Sequence, residues 1–210
     1  MLSLTLNANL ITELDDGIFE ALGSLDELYF EENKLLSIRK LTFKGLSNLS
    51  RLVLTNNCIR NVESGSFDSM LKMIHFTLKE NRLRSLPADL FNSMQKLNFF
   101  SLGMNYFRKI DDIFNKSEPT ITKCKEQNQN YADQDVSAQI MQCMFPDLSH
   151  LEISFNLMKS LEGTRTFKLI CPSLSHLFLT NNRLTKITDK DCKGLSKLIT
   201  VDFLSNLISE

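Results

Sequence analysis

Several features that would announce a function are missing from this sequence. No run of 18 apolar residues exists, so nothing in the chain is built to span a bilayer as a helix. Formal net charge is −1 and the basic residues are scattered, which implies neither nucleic acid nor an anionic membrane as partner. The five cysteines, Cys58, Cys124, Cys143, Cys171 and Cys192, form no CxxC and no Cys/His ligand spacing, so no metal site is expected. There is no Gly-rich phosphate loop and no nucleophile elbow. No catalytic residue and no cofactor is therefore assigned, and the chain does not read as an enzyme. A signal peptide is also absent from the opening residues: Met1–Leu4 already fits the pattern described next, and the first charge is Glu13.

What is present is a period. Asparagine recurs at Asn9, Asn33, Asn57, Asn81, Asn105, Asn156, Asn182 and Asn206, each in the frame LxxLxLxxNxL, and the first four intervals are 24 residues. Units start at residues 1, 25, 49, 73, 97, 148, 174 and 198. Position 4 is Leu4, Leu28, Leu52, Phe76, Phe100, Leu151, Leu177 and Val201. Position 6 is Leu6, Phe30, Leu54, Leu78, Leu102, Ile153, Leu179 and Phe203. Apolar residues two apart predict a short strand with one buried face, centred on 3–5, 27–29, 51–53, 75–77, 99–101, 150–152, 176–178 and 200–202. Positions 3 and 5 then point outward. Successive units can pair these strands only in parallel, roughly 4.8 Å apart. An asparagine where the chain leaves the strand can satisfy backbone groups of the adjacent turn. No unit buries its apolar side alone; stacking does so.

This frame resembles the leucine-rich repeat family along the whole chain. The resemblance implies an α/β fold: a horseshoe solenoid with a parallel concave sheet of about eight strands, and turns and short helical segments on the convex side. Phe19, Phe43, Phe67 and Phe91 at position 19, with Leu22, Leu46, Met70 and Met94 at position 22, look like the 24-residue extracellular type. Residues 1–210 are expected to form one domain. Neither end carries a cysteine-rich cap, so the sequence reads as a fragment of a longer protein or an incomplete gene model, whose missing parts would include the signal peptide and any membrane anchor.

The interval from Leu97 to Leu148 is 51 residues, one unit plus 27. The excess, about 115–145, is polar as far as Gln134 and contains Pro119; from there Val136, Ile140, Cys143 and Met144 share one helical face. A loop followed by a short helix is expected, either as a tolerated surface insertion or as a loop that contacts a partner. Cys143 and Cys171 precede neighbouring strands, so a bond between them is reasonable and would contribute about 3 kcal/mol on the loop-entropy model; Cys124 competes for Cys143. Cys192 takes the position-19 place and reads as a buried core residue, whereas Cys58 has no near partner. Sequons stand at Asn48 and Asn115.

The stretch from Cys143 to Asn182, with Phe167-Lys168-Leu169-Ile170-Cys171 before the next strand, is similar to the ectodomain repeats of relaxin-type leucine-rich receptors, which are G-protein-coupled. The resemblance implies a receptor ectodomain on the outer face of the plasma membrane, binding a secreted peptide or protein on its concave face without inserting in the membrane itself. In that family concave acidic side chains hold basic ones of a hormone, a role that Glu152 and Asp202 flanking Phe178 would take. Two outward patches stand out from the residues. Repeat two is acidic, with Asp26, Glu27, Glu31 and Glu32 around Tyr29. Repeats five to eight combine Phe99, Met104, Phe155 and Phe178 with His150, His176, Glu152 and Asp202. Exposed aromatics beside charges are what protein-binding hot spots use. All three histidines occupy position 3, where they either titrate near neutral pH or are simply solvated. The alternative function is a secreted or surface adhesion, matrix or pattern-recognition protein without signalling of its own; an intracellular scaffold is the third.

Overall fold

The computed structural model describes residues 2–87, 89–90, 92–114, 145–161, 173–188, 191 and 195–209. Eight three-residue strands lie where the period puts them: β1 (Ser3–Thr5), β2 (Glu27–Tyr29), β4 (Arg51–Val53), β6 (His75–Thr77), β7 (Phe99–Ser101), β8 (His150–Glu152), β9 (His176–Phe178) and β10 (Thr200–Asp202). They form one parallel sheet in the order β1-β2-β4-β6-β7-β8-β9-β10. Pairing is in register throughout, so equal positions of neighbouring units stand side by side. The long interval does not disturb this, since Phe99 pairs directly with His150. The insertion's residues 115–144, with the helical reading of Val136 to Met144, lie outside the described residues. So do Cys124, Cys143, Cys171, Cys192 and Asn115.

Alternation works as the spacing demands. Leu28, Leu52, Phe76, Phe100, Leu151 and Leu177 are buried from the strands, and Phe30, Leu54, Leu78, Leu102, Ile153 and Leu179 from the turn after them. Phe19, Phe43 and Phe67 continue the core under the convex side, stacking at 6.0 and 5.6 Å. Burying one such side chain contributes about 2 kcal/mol, so the stacked column outweighs any local preference of these short strands. The convex side is made of turns. Among the described residues it also carries one 3₁₀ helix (Ile110–Asp112) and a two-stranded parallel sheet of β3 (Ser37–Ile38) and β5 (Asn61–Val62), which the period does not announce.

Position 5 faces outward, but it is not open all along the sheet. Val53, Thr77 and Ser101 are buried, not exposed. They are small, and over Ser101 the Glu152 carboxylate of the next strand accepts the hydroxyl proton.

After each strand the chain turns through position 8 in the left-handed region. Ala8, Glu32, Asn56, Glu80, Met104, Phe155, Asn181 and Ser205 all have φ between 54 and 56°, and none is glycine. Each costs roughly 1 kcal/mol or more and persists only if something nearby determines it. That something is the next residue. Asn105 Nδ2 donates to the carbonyls of Leu78, Leu102 and Gly103 at 3.0, 3.1 and 3.2 Å, and its Oδ1 accepts from the Leu83 N–H at 2.9 Å. Each asparagine from Asn33 to Asn206 likewise bonds to its own turn and to the preceding unit. Asn9 bonds only within its own turn and is exposed.

Asn105→Ala should therefore cost about 2–3 kcal/mol of stability, because it orphans a buried N–H and buried carbonyls. Asn9→Ala should cost less than about 1 kcal/mol, since water can replace its bonds. Urea unfolding of the two variants checks the difference; equal losses would contradict the stapling role.

Candidate functional site

The concave face is built from positions 3, 5, 7 and 8. In register, its position-3 column becomes a continuous row of contacts. Glu27 and Arg51 form an ion pair at 3.4 Å. His75 and Phe99 stack at 4.3 Å and 1°. Phe99 and His150 follow at 6.3 Å and 31°, then His150 and His176 at 4.2 Å and 5°. His176 meets Phe178, of the position-5 column, at 6.4 Å. The histidines are thus neither isolated nor freely solvated, as the sequence alone left open; four rings follow one another across four strands, stacked in two pairs with a tilted step between them. The signal was available, because residues at one position of successive units must lie one strand apart.

That packing sets their electrostatics. Burial, helped by the nearby Arg51 cation, pushes the His75 pKa down to about 4. His150 is lowered too, by burial first and by the adjacent His176 second. At the other patch, burial and then a 3.1 Å hydrogen bond to Glu27 raise the pKa of Tyr29.

Glu152, Phe178 and Asp202 stand side by side in register on β8, β9 and β10. The two carboxylates already have partners. Glu152 accepts the Ser101 hydroxyl at 2.5 Å and has Lys79 Nζ at 3.8 Å. Gly103 leaves room for it: a Cβ there would come within 3.0 Å of Glu152 Oε1. Asp202 Oδ1 accepts the Leu204 N–H at 2.8 Å. Beside this row Phe155 is 46% exposed and Met104, one unit earlier, 38%. Lys79, Ser101 and Gly103 therefore shape the site, although the sequence reading did not place them in it. Their role follows from contacts across units and not from any motif.

The repeat-two patch is tied up internally. Glu31 is bonded to Asn7 through both its side chain and its N–H, and Asp26 accepts from Ser50. Counted over positions 3, 5, 7 and 8, the face carries six carboxylates, Glu27, Glu31, Glu32, Glu80, Glu152 and Asp202, against the cations Arg51 and Lys79. Asn48, of the first sequon, is half-buried; its Nδ2 donates to Gly23 O at 2.6 Å and its Oδ1 accepts from Lys72 Nζ at 2.5 Å. Cys58 is a free, half-buried thiol. Among the described residues no group of three or more potential metal ligands occurs, and no helix is long and apolar enough to cross a membrane.

A leucine-rich repeat family model matches residues 2–50 and 24–77. The described residues have the leucine-rich repeat fold, a parallel-sheet solenoid. Solved structures agree at the level of the fold. A structure of the Toll–Spatzle complex of Drosophila matches all of the chain at 19% identity and a TM-score of 0.67, with 27% of that chain covered. The leucine-rich repeat domain of APL1 matches all of it at 17% and 0.70, with 46% covered. A leucine-rich repeat protein of Leptospira interrogans matches 98% of it at 22% and 0.72, with 43% covered. The chain thus spans less than half the length of these repeat proteins. No curated protein matches it in sequence.

His75 offers a direct check on the packed row. NMR titration should find its imidazole still neutral at about pH 5.5. The unfolded chain takes up that proton near pH 6.5 and the folded chain only near 4, so His75 contributes stability that is complete above 6.5 and is lost as pH falls towards 4. His75→Phe keeps a ring in the stack and should flatten stability over that window. An ordinary His75 titration near 6.5 would contradict the packing.

Proposed function

We propose that this chain is the protein- or peptide-binding part of a cell-surface receptor ectodomain, a single domain that holds a secreted ligand on the concave face of repeats five to eight. Leucine-rich repeat domains are generally protein-binding, and the solenoid's concave sheet is the surface such folds extend to partners. The observation that carries the reading is the row Glu152–Phe178–Asp202 beside the exposed Phe155 and Met104. Apolar side chains ringed by charge are how compact binding patches are made. The excess of carboxylates on the face favours a ligand with a basic side chain, which matches the role that the likeness to relaxin-type receptors gives to Glu152 and Asp202. The outer face of the plasma membrane is the location this reading implies. The fold shared with Toll, solved in complex with Spatzle, supports a ligand-holding solenoid.

The ligand's apolar group covers Phe178, with Phe99, His150 and His176 extending the ring surface alongside. Its basic group meets Asp202, or competes with Lys79 for Glu152. At 3.8 Å and partly exposed, the Lys79 contact is weak enough to yield.

Phe178→Ala in the full-length, cell-displayed protein should weaken binding of its secreted ligand by about 2 kcal/mol or more, and Glu152→Gln by less. Binding isotherms against a panel of secreted peptides, with folding checked by thermal unfolding, measure both. Unchanged affinity in both variants, with loss on replacing Glu31 and Glu32, would move the site to repeat two.

A further inference from the structure

Beyond each asparagine the chain runs down the flank where it leaves the sheet. Position 11 is buried there, as Ile59, Leu83, Phe107, Met158 and Leu184, so positions 10 and 12 on either side of it point outward. Hydrogen bonds between units hold this segment in register too. The position-10 N–H groups of Arg82, Tyr106, Leu157 and Arg183 donate to the position-11 carbonyl of the unit before, at 2.8, 2.8, 2.9 and 2.8 Å. At position 12 the Arg60 N–H donates to Leu36 O at 3.0 Å, and the Lys159 N–H to Arg108 O at 3.4 Å. Side chains at one position are therefore stacked one unit apart. Position 12 of repeats three to six is Arg60, Arg84, Arg108 and Lys159, and position 10 adds Arg82 and Arg183 from repeats four and seven. All six are exposed, and neither position holds a carboxylate in any unit. Among the described residues none of the six forms an ion pair. Carboxylates close by in the chain are engaged by backbone: Glu63 accepts the Lys40 N–H at 2.9 Å, and Asp112 those of Arg108 and Lys109 at 2.9 and 3.2 Å.

We propose that this flank of repeats three to seven is a docking strip for a sulfated polysaccharide of the cell surface or matrix. The four position-12 cations follow one another at the strand spacing, roughly 4.8 Å, so they span roughly 14 Å in one row. Such a row fits a single extended polyanion lying along the solenoid axis. Five of the six cations are arginines, whose planar fork meets two oxygens of one oxyanion. The rest of the flank selects among polyanions. Single-stranded nucleic acid is held by successive aromatics under successive bases, whereas Tyr106 is the one aromatic at positions 10 and 12. Bilayer surfaces are gripped by apolar side chains set among the cations. Here the exposed leucines of the flank, Leu10, Leu36 and Leu207, stand in repeats one, two and eight, outside the run. Tyr106, exposed between the arginines of repeats four and five, gives a sugar ring a face to rest on. Along the sequence these cations are scattered, and the net charge of −1 hides them. Stacking gathers them on one flank and leaves the carboxylates on the concave face, which turns a polyanion away from the peptide site. The choice of a sulfated glycan, though not the strip itself, rests on the cell-surface reading.

Calorimetry of heparin binding to the full chain, repeated at several salt concentrations, tests the strip. The log of the affinity should fall linearly with log salt, with a slope of about −4 if all six cations meet sulfates and release counterions. Arg84→Gln with Arg108→Gln should weaken binding about tenfold or more at low salt and make the slope shallower by about 1, at unchanged Tm. Lys72→Gln with Lys96→Gln removes the same charge from the groove on the opposite, strand-entry flank and should change the affinity less than about twofold. Longer heparin fragments should bind more tightly until they cover the strip, and inorganic sulfate at equal sulfate concentration should not compete. Equal losses in the two double variants, or a slope that the arginine pair leaves unchanged, overturn the strip. Single-stranded DNA or phosphatidylserine vesicles bound as tightly as heparin at equal charge overturn the sulfated glycan. The peptide site is judged by Phe178→Ala and a secreted peptide, the strip by the arginine pair and heparin, so either can fail alone.

Discussion

One constraint organises the molecule: after every strand the chain turns through a left-handed residue and immediately presents an asparagine, from the second unit onward to the unit before it. The turn frees one N–H and several carbonyls in a place where water does not reach. A short amide with two donors and one acceptor can satisfy them, and its length matches the spacing between units. The Asn105 bonds reach both its own turn and that of the preceding unit. The asparagine thus closes its turn and fastens the stack in one step, and the costs of eight left-handed residues are recovered through the same bonds. Leucines and phenylalanines fill the space so enclosed, but any apolar residue of fitting volume could do that.

In-register stacking has a consequence for chemistry. A residue type that is harmless once becomes a row when it recurs at the same position. Position 3 holds an ion pair at one end and four rings in succession after it. Within that row two histidines are affected by a neighbour. Arg51 disfavours a proton on His75, and His176 disfavours one on His150. Neutral rings pack without the repulsion that stacked imidazolium ions would suffer, so packing and protonation state support each other.

Much of this was legible in the residues. All eight strands fall on the residues the asparagine frame selects, and the asparagines bond as their place after the strand suggests. The position-5 column was legible only in direction. Whether Ser101 is open or covered depends on the reach of its neighbours, and Glu152 reaches back to bond it. A sequence read unit by unit shows side chains but not their lengths across the groove. The same limit hid the partners of Glu152 and Asp202, which looked like free carboxylates. The short sheet of β3 and β5 escaped for a different reason: Ser37–Ile38 and Asn61–Val62 are two residues long, too short to show a period.

Backbone strain is often taken as a pointer to function, and on this face it would mislead. Met104 and Phe155 are bulky residues with positive φ, exposed beside the candidate site, and by that argument they would be singled out. Yet Ala8 and Ser205 at the two ends of the sheet share their φ to within 2°. The conformation belongs to the architecture, and it is compensated everywhere by the same asparagine. What sets Met104 and Phe155 apart is only the side chain that the turn carries outward. The fold fixes positions 4, 6, 8 and 9 by burial and by backbone geometry, and it leaves the side chains of the outward positions free to vary. Binding chemistry in this protein must therefore be sought where the repeat imposes nothing on the side chain, in the rows that in-register stacking assembles from those free positions.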